Sequence, residues 1–312
     1  MPHFKFTSLQ ANRLDKIITD HITTLSRSAA QKLIGQDKVW VNGVNQPASY
    51  FVKVNDIIEL NADETQHNLP QPEAIALDVM YEDADVLVIN KPAGMVVHPG
   101  VGNNSGTVVN ALLAHANDLG EFKDTFRPGI VHRLDKETSG VMLLAKTEMA
   151  QKALQDQFKA REVQKTYIAI LVGAITPQRG IINKPIARDI QHRQRMAIVA
   201  SGRDAVTEYE LIAELPKAEY NAIYSVVRCY PRTGRTHQLR VHFASMGYPI
   251  VGDATYGAVI VRRDLLSQKL TPRHLLHANR IQFRLPSSAR VVTFTAPPPD
   301  DMSNILANTN LS

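Results

Sequence analysis

The chain has 312 residues, 44% hydrophobic and 21% charged, with a formal net charge of +5. That length exceeds one small core and points to two domains, and that composition is that of a folded soluble protein. A single cysteine, Cys229, excludes an intrachain disulfide and a Cys-x-x-Cys metal site.

Residues 11–61 form the first candidate unit. Leu14, Ile17, Ile18 and Ile22 recur at helical spacing. Ser26 or Ser28 can cap a second helix that carries Ala29, Ala30, Leu33 and Ile34, with Gly35 near its end. Asn42-Gly43 is a hairpin signal, and residues 56–60 read as the closing strand. Helix, helix and hairpin over about 50 residues are small for an independent domain and read as an appended recognition module. Residues 62–75, polar and carrying Pro70 and Pro72, read as a linker.

Residues 76–300 form the second candidate domain. Strands are predicted at 85–90, 167–172, 224–230 and 290–295, and helices at 107–116, 148–161 and 236–246. Strands and helices do not alternate strictly, so the expected class is α+β with a largely antiparallel sheet. Residues 301–312 read as a short, frayed polar tail. No apolar run approaches the roughly 20 residues needed to span a bilayer, and the N-terminus lacks a signal-like apolar core. With its lone thiol read as a packed strand residue, the chain is expected in a reducing cytoplasm.

Charge is distributed unevenly. From Tyr220 to Gly252 there are four arginines (Arg228, Arg232, Arg235 and Arg240) and no acid. Arg188, Arg193, Arg195 and Arg203 make a second basic stretch, diluted by Asp189 and Asp204. Localised positive charge is the footprint of phosphate-backbone binding; a solvated surface of a slightly basic enzyme is the bland alternative.

The most informative segment is 131–140. His132, Arg133 and Asp135 sit between two apolar runs, where charge is costly unless paired or used. About a hundred residues on, the cluster Arg232–Arg240 offers the arginine that a buried Asp135 needs. A carboxylate facing arginine in a cleft stays ionised, available as nucleophile or base; a structural aspartate capping the turn is the alternative. His132 invites a general-base reading against a structural one, and Arg133 a phosphate contact against an ion pair. On a helix over 236–246, Arg240 lies one turn in and can point back at a carboxylate. His237 and His242 are five apart and do not match a His-x-x-x-His metal pair. Tyr167, opening a strand, can stack on a nucleobase or simply half-bury in a sheet. Residues 99–106 fit neither a P-loop nor a dinucleotide fingerprint.

These segments resemble a known family. His132–Gly140 resembles the signature of RluA-type pseudouridine synthases, and Lys165–Tyr167 and Gly234–Arg240 resemble its two further motifs. Arg13–Asp15, Ser26-Arg27 and Val39–Gly43 resemble an S4 RNA-binding module. Val79–Asp83, Val97–Gly100 and Ala296–Met302 are similar to the branch that acts on large-subunit ribosomal RNA.

The resemblance implies isomerisation of uridine to pseudouridine, with no metal or organic cofactor. It makes Asp135 the catalytic carboxylate, Tyr167 the residue stacked on the target base and Arg240 the partner of Asp135. Arg133 would occupy the space of the flipped uridine. RNA contacts are expected from Arg133, His132, Arg235, Arg193 and Arg195, and from Arg13, Arg27 and Lys32 in the N-terminal unit. The expected partners are 23S-type ribosomal RNA and the pre-ribosomal large subunit, bound by a monomer without a membrane. A sister-branch synthase acting on other rRNA or tRNA uridines, or a non-catalytic assembly factor, is the competing reading. The N-terminal unit departs from the module it resembles: Ala29 stands where a second basic residue is common, and Asn55-Asp56 replaces a Gly-Asp turn. Seven Lys/Arg against five Asp/Glu over residues 1–62 leave it a net charge of only +2.

Overall fold

The computed structural model describes residues 3–22, 25, 27–61, 69–100, 102–116, 119–192, 195–215, 223–257 and 273–307. Ser26 and Arg193, both singled out in the sequence, and residues 62–68 of the linker lie outside the described residues.

The N-terminal unit runs β1 (His3–Thr7), β2 (Asn12–Arg13), α1 (Leu14–His21), α2 (Arg27–Gly35), β3 (Val39–Val41), β4 (Val44–Asn45), β5 (Phe51–Val52) and β6 (Ile57–Asn61). Asn42 and Gly43 have φ of 50° and 79°, the pair of left-handed residues that a two-residue hairpin turn requires, and they join β3 to β4. Asn55 also has positive φ, 73°. Asparagine tolerates that conformation, which explains how it can replace a glycine there. Leu14, Ile18, Leu33, Val41 and Ile58 belong to one core built only from this unit's residues. β1 extends the unit N-terminal of the expected start at residue 11: it pairs antiparallel with β6 and packs Phe4 and Phe6 against that core.

The larger part contains β7 (Val79–Glu82), β8 (Val86–Lys91), α3 (Val108–His115), β9 (Ser139–Ala145), α4 (Glu148–Ala160), β10 (Gln164–Val172), β11 (Arg179–Asn183), β12 (Ile186–Arg188), β13 (Met196–Ile198), β14 (Val206–Leu215), β15 (Tyr224–Pro231), α5 (Gln238–Ala244), β16 (Leu276–Arg284), β17 (Val291–Thr295) and α6 (Asp300–Leu306). The class is α+β, as the mixed pattern predicts. The main sheet runs β11-β14-β15-β10-β16-β9-β8-β7, with β17 also paired to β16. Its one parallel pairing among the described strands is β16 with β9. Buried apolar strands read as near-continuous runs: every residue of β9 is buried. No helix among the described residues is long and apolar enough to cross a membrane.

The sheet order brings distant motifs together. Tyr167 of β10 pairs with Cys229 of β15 on one side and Ala278 of β16 on the other, and Ala278 pairs with Gly140 of β9. Gly140 has φ of 112°, and a Cβ there would overlap the Ala278 carbonyl, so only glycine lets β9 approach β16 so closely. The segment ending at Gly140 is thereby held beside the start of β10.

Residues 300–306 correct the expectation of a frayed tail. They form α6, which buries Met302, Ile305 and Leu306 in a core with Ile168, Tyr224 and Leu275. Arg273 further anchors it through two 2.7 Å hydrogen bonds to Asp301. Residues 308–312 lie outside the described residues.

Candidate active site

The segment before β9 is fixed by its backbone carbonyls. The buried Lys91 ammonium, at the end of β8, donates to the carbonyls of Pro92 (2.7 Å), Met95 (2.9 Å) and Lys136 (3.1 Å). Arg273 donates to the Glu137 carbonyl at 3.0 Å, and the Thr138 hydroxyl bonds Nε2 of His274 at 2.8 Å. The Thr138 amide donates to the Asp135 carbonyl at 3.1 Å, closing a turn that sets the Asp135 side chain. Two segments far apart in sequence, the end of β8 at Lys91 and the pair Arg273-His274, therefore converge on residues 136–138. Local sequence shows only a polar turn there.

The second cluster is folded by a buried glutamine. Gln238 Oε1 accepts from the Thr233 hydroxyl (2.7 Å) and the Arg235 amide (3.0 Å), while its Nε2 donates to the Val206 carbonyl and the Thr207 hydroxyl, both at 3.0 Å. All its polar capacity is used in bracing residues 233–237. His237, with φ of 56°, then starts α5, a shorter helix than the expected 236–246. Leu239 and Phe243 anchor α5 against Ala169 and Val227 of the sheet.

Arg240 joins the two clusters. Its Nη1 donates to Asp135 Oδ2 at 3.1 Å, while Nε and Nη2 donate to Asp253 Oδ2 and Oδ1 at 2.7 and 2.9 Å. The guanidinium also stands 5.1 Å from the Tyr256 ring centroid. Burial alone would make Arg240 less basic. The hydrogen bonds and charge of Asp253, with the charge of Asp135, outweigh it and hold its pKa above the ordinary arginine value. Burial likewise disfavours ionised Asp253, but Arg240 reverses the sign and keeps its pKa below the usual value. His237 Nδ1 bonds the Tyr256 hydroxyl at 2.7 Å, and its Nε2 lies 4.0 Å from Asp135 Oδ1. Burial keeps the pKa of His237 low, so it presents a neutral ring beside the carboxylate.

Asp135, Tyr167, Arg240, Arg133, His132 and Arg235 all line one cleft of about 680 Å³. Burial, and then the negative charge of Asp135, raise the pKa of Tyr167, so its phenol stays protonated. His132 is held by contacts within the fold. Its Nε2 accepts from the Leu143 amide at 2.9 Å, and its ring stacks on Phe158 at 5.0 Å. Burial, with the nearby Lys165, lowers its pKa to about 3, so it brings no positive charge to a phosphate. Arg235 donates to the Asp204 carbonyl at 2.9 Å, and Arg133 is exposed at the cleft.

Arg195 is not brought to the cleft; it lies on the β12–β13 connection, its carbonyl accepting from the Asp189 amide. Arg13, Arg27 and Lys32 belong to the N-terminal unit. There the buried Asp15 accepts from Arg13 Nε (3.1 Å), Arg27 Nε (2.9 Å) and Gln31 Nε2 (2.7 Å). Burial opposes its ionisation, but these partners more than offset that and pull its pKa below the carboxylate range.

Sequence reasoning missed Asp253, Tyr256 and the bracing by Lys91 and Arg273. Asp253 has a signal of sorts: it is the first acid after the run of four arginines. Among the described residues no cluster of three or more His, Cys, Asp or Glu side chains could hold a metal ion.

The chain is similar to known proteins along most of its length. A family model described as RNA pseudouridylate synthase matches residues 85–245. An uncharacterized RNA pseudouridine synthase of Bacillus subtilis is 37% identical over 96% of this chain and 94% of its own length. A ribosomal large subunit pseudouridine synthase D of Zymomonas mobilis is 41% identical over 93% of this chain and 91% of its own. Among solved structures, human RNA pseudouridylate synthase domain containing 1 superposes with a TM-score of 0.58 at 29% identity, covering 73% of this chain and 85% of that one.

Proposed function

The chain belongs to the RNA pseudouridylate synthase family and is a pseudouridine synthase, and from this we propose that it isomerises uridines of large-subunit ribosomal RNA with Asp135 as the reactive carboxylate. The reaction balances within the nucleoside: N1–C1′ breaks, C5–C1′ forms, C5 loses a proton and N1 ends bearing one. Asp135 acts at the ribose. Arg240 orients it through their hydrogen bond, and Tyr167 supports one face of the base.

The observation that carries this reading is the 3.1 Å contact between Asp135 and Arg240, made across 105 residues at a cleft edged by arginines. A uridine in a duplex must leave the stack to reach such a carboxylate, which costs roughly a few kcal/mol. Arg133, exposed beside Asp135, is placed to fill the gap. The choice of large-subunit RNA draws support from relatives named ribosomal large subunit pseudouridine synthase D, at 37 to 41% identity over nearly the whole chain.

The N-terminal unit serves in this proposal as an S4-like RNA-binding module over residues 11–61, joined by a linker at 62–75 to a catalytic domain at 76–300. In support, Asp15 holds Arg13 and Arg27 in place while their side chains stay 43% and 55% exposed. Mapping pseudouridines in ribosomal RNA from cells with and without this protein tests the proposal. Loss of specific large-subunit pseudouridines is expected. An unchanged large-subunit map with losses in transfer RNA would move the enzyme to a sister branch.

A further inference from the structure

Among the described residues Lys165 is a cation with no anion. It lies two residues before Tyr167 on β10 and lines the same cleft. Its ammonium stands 5.9 Å from the Phe158 ring centroid and faces Gly234, where a Cβ would lie 3.8 Å away. Phe158 is itself stacked on His132, which is neutral. Among the described residues no carboxylate or carbonyl takes a hydrogen bond or ion pair from the Lys165 side chain. Fully buried cations of the fold differ from this half-buried one. Lys91 is held by three carbonyls, and Arg240 by two carboxylates.

Burial lowers the pKa of Lys165 to about 8, with no neighbouring acid opposing it. Lys165 lines the same cleft as Asp135, whose described hydrogen-bond and ion-pair partners are Arg240 and His237 rather than Lys165. A desolvated ammonium without a partner is costly to the folded protein and gains most from a full negative charge. Its lysine stem rises from a central strand, so the charge is held in place before any ligand arrives.

We propose that Lys165 is a phosphate-binding residue of the cleft, its Nζ taking a non-bridging oxygen of an RNA phosphodiester that flanks the target uridine. This rests on the RNA reading above and adds to it a charge contact distinct from Asp135, Tyr167 and Arg240. An uncharged base carbonyl would compensate the ammonium only in part.

The test uses the full chain and an in vitro transcript of large-subunit ribosomal RNA, with affinity measured over a series of salt concentrations. Lys165→Met should bind about tenfold more weakly, as for a charge-assisted hydrogen bond. The slope of log affinity against log salt should shrink by about 0.7–0.9, the value of one phosphate contact. KM should carry more of the loss than kcat. Lys165→Arg should keep the slope. Because an uncompensated charge is removed, Lys165→Met should unfold at or above the wild-type temperature; should it fail to fold, Lys165→Gln is read in the same way. Wild-type affinity and slope in the neutral variant would overturn the proposal, as would weaker binding with an unchanged slope, which marks an uncharged contact. If the wild-type protein neither binds nor modifies the transcript, the ribosomal RNA reading fails instead.

Discussion

Arg240 is shared between Asp135 and Asp253, and the two carboxylates do different work. Asp253 is fully buried and accepts from both Nε and Nη2, whereas Asp135 is 17% exposed and takes a single bond from Nη1. Asp253 therefore fixes the plane of the guanidinium, leaving Nη1 aimed at Asp135. Asp253→Asn removes one partner of a buried pair, a change that costs about 3–5 kcal/mol of stability. It should also lower turnover on RNA more than affinity, because Arg240 is released from its plane. Urea unfolding and single-turnover kinetics check both parts. Unchanged kinetics in a stably folded variant would show that Asp253 does not position Arg240. The Asp135–Arg240 pairing was legible because a charged cluster between apolar runs demands a partner. Asp253 was not, because nothing local marks an acid as the orienting member of a triad that closes only in three dimensions.

At the scale of elements, periodic segments were the legible ones. The helices expected at 107–116 and 148–161 appear as α3 (Val108–His115) and α4 (Glu148–Ala160), each capped by the threonine before it. β1 and α6 escaped because their signals are short. β1 shows only the alternation of Phe4 and Phe6, and α6 a single apolar triplet whose burial depends on β10 and β15, far back in the chain. Among the described residues the N-terminal unit has its own core and contributes none to the cores of the larger part. Deleting residues 1–70 should therefore leave a folded remainder with native circular dichroism. That remainder should bind structured ribosomal RNA more weakly, and with a shallower salt dependence, than the full chain. Loss of activity on every RNA while the remainder stays folded would make the unit part of the active site. Unchanged affinity and site choice would remove it from RNA recognition altogether.

Across the whole molecule, buried histidines set how the fold responds to acid. Burial, aided in most by nearby cations, lowers the pKa of His98, His274 and His277 to about 4 and that of His132 to about 3. Unfolded, each has a pKa near 6.5. Between about pH 6.5 and 4 the unfolded chain takes up protons that the folded one refuses, so stability falls as pH falls through that window. Above pH 6.5 these groups are neutral in both states and contribute nothing. Each group can add up to about 1.4 kcal/mol per pH unit within the window. Urea unfolding at pH 7, 6 and 5 should give a free energy that declines below pH 6.5, well above the range where carboxylates titrate. A flat profile down to pH 4.5 would mean that these rings are accessible to protons in the folded state.

The account as a whole turns on Asp135, and the most direct measurement compares turnover with affinity for Asp135→Asn on a large-subunit ribosomal RNA transcript. The substitution is nearly isosteric and leaves the bracing of residues 136–138 through their own carbonyls and the Thr138 hydroxyl in place. The account predicts that pseudouridine formation falls below detection while affinity stays within about threefold of wild type, a change of well under 1 kcal/mol. Wild-type turnover in this variant, or a loss of affinity that accounts for the whole loss of activity, would contradict it.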